Sequence, residues 1–102
     1  MRTLIRPQFH RDVAEEVEYL ATKAGPETAR LWSEAVYQTV RTLAEHPQLG
    51  RVRADLQPER IRSWRVEQYR RWLVFYAVKD NAVVFLRVRY GMMDLPALNF
   101  ES

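Results

Sequence analysis

Residues 72–90 read Trp72-Leu73-Val74-Phe75-Tyr76-Ala77-Val78-Lys79-Asp80-Asn81-Ala82-Val83-Val84-Phe85-Leu86-Arg87-Val88-Arg89-Tyr90. From Trp72 to Val78 the run is apolar on both faces, the pattern of a central strand covered on one side by helices. Asp80-Asn81 supplies a tight turn, and Val83 to Tyr90 predicts the next strand. Side chains alternate along a strand. Val84, Leu86, Val88 and Tyr90 should therefore share one face, and Val83, Phe85, Arg87 and Arg89 the other. A β-hairpin here decides the fold class, and the rest of the chain must cover it.

Upstream, Ile61 to Glu67 alternates like a half-buried strand, with Trp64 and Val66 on one face. Gly50 through Pro58 reads as loop and carries Arg51, Arg53 and Asp55. Before it, Ala29, Trp32, Val36, Val40 and Leu43 fall along one helical stripe that Pro47 ends. Phe9, Val13, Val17 and Leu20 form the stripe of an earlier helix, which Gly25 stops and Pro26 with Glu27 restarts. Pro7 suits that first helix's opening turn, where its missing N–H would have no partner anyway. Thr3 to Arg6 predicts a short first strand. The expected order is β-α-α-β-β-β: an α+β fold with an antiparallel sheet packed on a helical hairpin. It occupies 1–102 as a single domain, with about 10 C-terminal residues as a tail.

Composition sets further bounds. A chain of 102 residues allows one compact domain. Its 47% hydrophobic content and three tryptophans furnish a core and argue against disorder. Without cysteine it has no disulfide, zinc-thiolate site or cysteine nucleophile. His10 and His46 lie too far apart in sequence for a metal-ligand spacing, so neither metal nor cofactor is expected. No long apolar stretch follows the charged N-terminus, which predicts a cytoplasmic protein with no membrane association.

The charge is unevenly distributed. Residues 1–50 hold six basic and seven acidic side chains, and residues 51–102 hold ten basic and six acidic. Fourteen of the sixteen basic residues are arginine, the cation suited to bidentate contact with carboxylate or phosphate. Most such residues in any domain simply face solvent. The concentration in the C-terminal half points to a partner with negative charge, either nucleic acid or an acidic protein segment.

Several segments taken together resemble the RelE/ParE toxin family. Leu43-Ala44-Glu45-His46-Pro47 is followed by Leu49-Gly50-Arg51-Val52-Arg53 and Asp55-Leu56. Arg62-Ser63-Trp64-Arg65-Val66 comes next, then Tyr69 and Leu73-Val74-Phe75-Tyr76, then Leu86-Arg87-Val88-Arg89-Tyr90-Gly91 with Asp94-Leu95. Each piece is weak alone; their order along the predicted elements is specific. The resemblance implies the toxin of a type II toxin–antitoxin system, held in a hetero-oligomer with a cognate antitoxin that alone contacts operator DNA. RelE-like members cut messenger RNA on the ribosome, whereas ParE-like members inhibit DNA gyrase. RelE-like toxins follow their last strand with Gly-Lys-Arg, whose arginine serves the phosphate. Here the stretch is Gly91-Met92-Met93, which favours the ParE-like, plasmid-stabilisation branch and a non-enzymatic inhibitor.

Two sets of residues carry the functional alternatives. Arg65, Arg87 and Arg89 are the expected target-binding patch on the open sheet face; the plainer reading pairs them with Glu67 or Glu59. On the gyrase reading no catalytic residue is expected. A ribosome-dependent ribonuclease would instead draw charge and proton transfer from Arg65, Arg71, Arg87 and Tyr90. A third reading is an antitoxin-binding module without toxicity. Tyr90 is expected to pack with its hydroxyl outward, and Trp32, Trp64 and Trp72 to serve the core. Arg51 and Arg53 are expected to anchor their loop through Asp55.

Overall fold

The computed structural model describes residues 1–56, 60–91 and 99–100. In chain order the elements are β1 (Arg2–Ile5), α1 (Pro7–Ala24), α2 (Pro26–Glu45), β2 (Arg51–Val52), β3 (Arg62–Val66), β4 (Tyr69–Lys79) and β5 (Ala82–Tyr90). The expected hairpin is β4 and β5, antiparallel around Asp80 and Asn81, whose φ values of 52° and 59° give the paired positive φ of a type I′ turn. Pro7 and Pro26 open their helices, and Gly25 turns the chain between them at φ 97°. A side chain there would be strained by that φ, although the space around it is open.

Two expectations are corrected. The sheet order is β1-β5-β4-β3-β2, and β1 pairs with β5 in parallel, so the sheet is mixed rather than wholly antiparallel. The physical reason is the helical hairpin, which returns the chain to the end where β1 finished. The strand reversals from β2 to β5 then run β5 in the direction of β1, and so long a crossover permits parallel pairing. The segment from Gly50, read as loop, contributes β2, a two-residue strand on β3.

The helices cover one sheet face. Phe9, Val13, Trp32, Val36, Val40 and Leu43 meet Val66, Val74, Tyr76, Val83, Phe85 and Val88 in a single core. Trp32 is 1% exposed, and truncating so large a side chain would cost roughly 3–5 kcal/mol. The other face is partly closed as well: Leu56, Ile61 and Phe100 cover Phe75, Val84 and Leu86. Phe100 meets Phe75 edge to face, with ring centroids 5.3 Å apart.

Strict alternation fails within β5. Tyr76 pairs with Phe85 but Phe75 pairs with Arg87, so one extra residue, Leu86, is accommodated as a bulge. The bulge shifts the phase. Val83, Phe85 and Val88 point into the helix-side core, while Val84 and Leu86 belong to the opposite cluster. The grouping of Val84 and Leu86 with Val88 is thereby corrected.

Candidate functional site

Register defines a row across three strands. Arg65 in β3 pairs with Leu73 in β4, and Leu73 pairs with Arg89 in β5. Directly paired residues share a face, and so do residues two apart. Arg65 and Leu73 therefore stand together on the face away from the helices, joined by Arg71, while the side chain of Arg89, in the same row, turns over the sheet edge toward Asp12 of α1. The adjacent row is Ser63, Phe75 and Arg87, with Arg51 opposite Ser63. Arg51, Arg65 and Arg71 are exposed, and Leu49, Arg51, Ser63, Trp64, Arg65 and Leu73 line a shallow groove of about 260 Å³. The guanidinium carbon of Arg65 lies 4.4 Å from the Trp64 ring centroid, a stacking that limits its rotamers while leaving its donors free for a ligand. Gly91 closes the row, since a Cβ there would meet the Arg71 carbonyl at 3.1 Å.

Arg87 departs from the expected open patch. It is 8% exposed, and its Nε and Nη2 donate to Asp12 Oδ2 and Oδ1 at 2.8 and 3.0 Å. Its Nη1 donates to the Asn99 carbonyl at 2.8 Å. Asp12, itself 3% exposed, also accepts from the Val88 backbone N–H at 3.1 Å, and Arg89 approaches it at 3.6 Å. The cause is the sheet edge. Pairing with β1 stops at Phe85, which leaves the later backbone of β5 open, and α1 places a carboxylate there that takes both the orphan amide and the nearest guanidinium. Nothing in the sequence flags Asp12. It is a charged residue flanking an apolar stripe, and its partner lies 75 residues away.

The four residues of the nuclease alternative are not brought together. Arg65 and Arg71 lie on the open face and Arg87 is bound at the edge. Tyr90 stands opposite Trp72 and packs against it edge to face, with centroids 5.1 Å apart, on the helix side. Met92 and Met93 lie outside the described residues. Trp32 and Trp72 pack edge to face 6.0 Å apart, as core residues do.

Of the two loop arginines, Arg53 anchors the loop in the expected way, whereas Arg51 is exposed and lines the groove on the open face. Arg53, 7% exposed, grips Asp55 through Nε and Nη2 at 2.9 and 2.7 Å and donates to Ser63 Oγ at 3.1 Å. That grip holds the Asp55 carboxyl below the usual carboxylate range. Beside it Arg62 donates to the Gly50 carbonyl, and the Tyr76 hydroxyl accepts from Gly50 N–H at 2.8 Å and donates to the Pro47 carbonyl at 2.6 Å. Burial raises the Tyr76 pKa, so this hydroxyl stays protonated and keeps donating. Among the described residues no group of three or more histidines, cysteines or carboxylates is placed to hold a metal ion. No helix among them is long and apolar enough to cross a membrane.

Comparison with known proteins agrees with this architecture. The family model of the ParE toxin of the type II toxin–antitoxin system parDE matches residues 4–95. A search of curated proteins finds no match. Among solved structures, the fold is similar to one titled "Chromosomal ParDE TA system from P. aeruginosa", with a TM-score of 0.75 and 18% identity over 88% of this chain and 95% of that one.

Proposed function

Because the chain belongs to the ParE toxins of parDE type II toxin–antitoxin systems, we propose that it arrests growth by inhibiting DNA gyrase and is neutralised by a cognate antitoxin. On this reading the chain binds its target through the open sheet face, with Arg65 as the exposed contact and Arg87 and Arg89 held at the neighbouring edge by Asp12. The antitoxin forms a hetero-oligomer with it and carries the complex to operator DNA.

The observation that carries the choice of target is the dispersal of Arg65, Arg71, Arg87 and Tyr90. A general acid or base must lie within hydrogen-bond reach, roughly 2.6–3.2 Å, of the proton it moves. A tyrosine on the helix side of the sheet and arginines on the far side do not converge on one phosphate. An exposed arginine row, by contrast, suits a non-covalent contact with an acidic surface.

The test uses purified protein in two assays. With gyrase and plasmid, supercoiling is expected to fall and gyrase-cleaved DNA to accumulate, more weakly for Arg65→Ala. With translating ribosomes, the messenger is expected to remain intact, and Tyr90→Phe is expected to stay toxic in cells. Discrete messenger cuts in the ribosomal A site, lost in Tyr90→Phe, would reverse the choice of target.

A further inference from the structure

On the helix side, where α1 passes the end of β5, Glu16, Tyr19 and Leu20 face Trp72 and Tyr90 across a pocket of about 410 Å³. It runs into a smaller groove of about 240 Å³ that shares Glu16, Tyr19 and Tyr90 and adds Asp12, Glu15 and Arg89. Three aromatic rings thus wall one cavity. Trp72 and Tyr90 stand nearly perpendicular, at 73°, and Tyr19 is 57% exposed at the mouth. The exposed ring and the half-buried indole together offer apolar ring surface on which a partner group can pack.

The charges around the cavity are specific. Asp12 is already saturated by Arg87 and the Val88 amide. Arg89 lies 3.6 Å from Asp12 and also faces Glu16, so the rim holds the carboxylates Glu15 and Glu16 with one cation beside them. Glu16 is half-buried. Desolvation raises its pKa, and the nearby Arg89 charge and Trp72 indole only partly oppose that. A desolvated carboxylate with incomplete compensation, set among ring faces, is complementary to a cation that can both stack and donate. The guanidinium does both, because it is planar, weakly hydrated and a bidentate donor to carboxylate.

We infer that this pocket takes the side chain of an arginine presented on an apolar segment of a partner polypeptide. The guanidinium lies among Tyr19, Trp72 and Tyr90 and donates to Glu16, and the neighbouring apolar residue of the segment rests on Leu20. At the rim Glu15 and Glu16 outnumber the one cation, Arg89, whereas Arg51, Arg65 and Arg71 are exposed on the far face of the sheet, and the site stands whether the target there is gyrase or the ribosome.

The probe is the capped tripeptide N-acetyl-Leu-Arg-Leu amide, with its citrulline counterpart as the neutral isostere. Binding to the full chain is followed by the indole N–H resonance of Trp72, assigned by its loss in Trp72→Phe. A saturable shift is expected, at least 5-fold weaker for citrulline and similarly weakened in Glu16→Gln, but unchanged in Arg65→Ala. Tyr19→Ala, at an exposed position that cannot endanger the fold, is expected to weaken binding as well. Equal affinity for the two peptides, no movement of the Trp72 resonance, or full affinity in Glu16→Gln would each overturn the inference.

Discussion

Among the described residues, Asp12 concentrates more of the structure than any other charged residue. It neutralises Arg87, approaches Arg89 and satisfies the Val88 amide while 3% exposed. Exposed ion pairs contribute only about 0–1 kcal/mol, which is what the sequence alone implies for Arg87→Ala. The buried geometry changes that expectation. Removing one partner leaves an uncompensated charge, and Asp12→Ala or Arg87→Ala is expected to cost roughly 3–5 kcal/mol in urea denaturation. The pair Asp12→Leu with Arg87→Met should recover much of the loss, because two apolar side chains leave no buried charge. Glu16 behaves differently. Its pKa is raised in the folded state by burial, so the native chain binds more protons than the unfolded chain between the ordinary and the raised values. Stability from this group is therefore greatest below the ordinary carboxylate pKa and declines as pH rises through the raised one. Glu16→Gln should flatten that slope in thermal melts recorded from pH 4 to 7; an unchanged slope would assign it to other groups.

At the scale of elements, the segment between α2 and β3 is held by a few polar contacts. Tyr76 reaches from the central strand to Gly50 and Pro47, and a Cβ on Gly50 would collide with the Tyr76 hydroxyl and lie 2.9 Å from the Ser63 carbonyl. Glycine is required there by close approach rather than by φ. Tyr76→Phe leaves the Gly50 N–H without its partner in a buried setting and should destabilise by about 1–3 kcal/mol in denaturant titration. Gly50→Ala should also destabilise, through the clash with backbone, and Tyr76→Phe should partly relieve it because the hydroxyl is one of the colliding atoms. Additive losses in the double variant would refute that coupling. The bulge at Leu86 is the second local device. It turns the backbone at Arg87 and Arg89 onto the register of Phe75 and Leu73, and Asp12 then draws both side chains to the sheet edge.

Across the whole molecule the two sides of the sheet differ: Arg51, Arg65 and Arg71 are exposed on one, and the other carries an aromatic pocket whose rim holds Glu15 and Glu16 with Arg89. Arg65 is the clean probe of the first side because it is exposed and stacks only on Trp64. Arg65→Ala should leave the melting temperature nearly unchanged, within about 0–1 kcal/mol, while growth inhibition falls. Unchanged growth inhibition in this variant would remove Arg65 from the target surface. Arg87→Ala should lower both together, through the fold rather than through contact.

The sequence by itself determined the element order apart from the two-residue β2, the helical stripes from Phe9 to Leu43, the β4–β5 hairpin and the resemblance that the family match bears out. These are local properties: period, turn chemistry and stop signals act between residues a few positions apart. It also made the loop role of Arg53 legible, because Asp55 is two residues away. Only the tertiary structure decided that β1 lies parallel beside β5, that Leu86 shifts the strand's phase, and that Arg87 belongs to Asp12 rather than to an open patch. Each depends on which distant elements share an edge. Alternation along a strand carries no mark of where one extra residue will be absorbed, and a lone carboxylate on a helix carries no mark of the orphan amide it will meet.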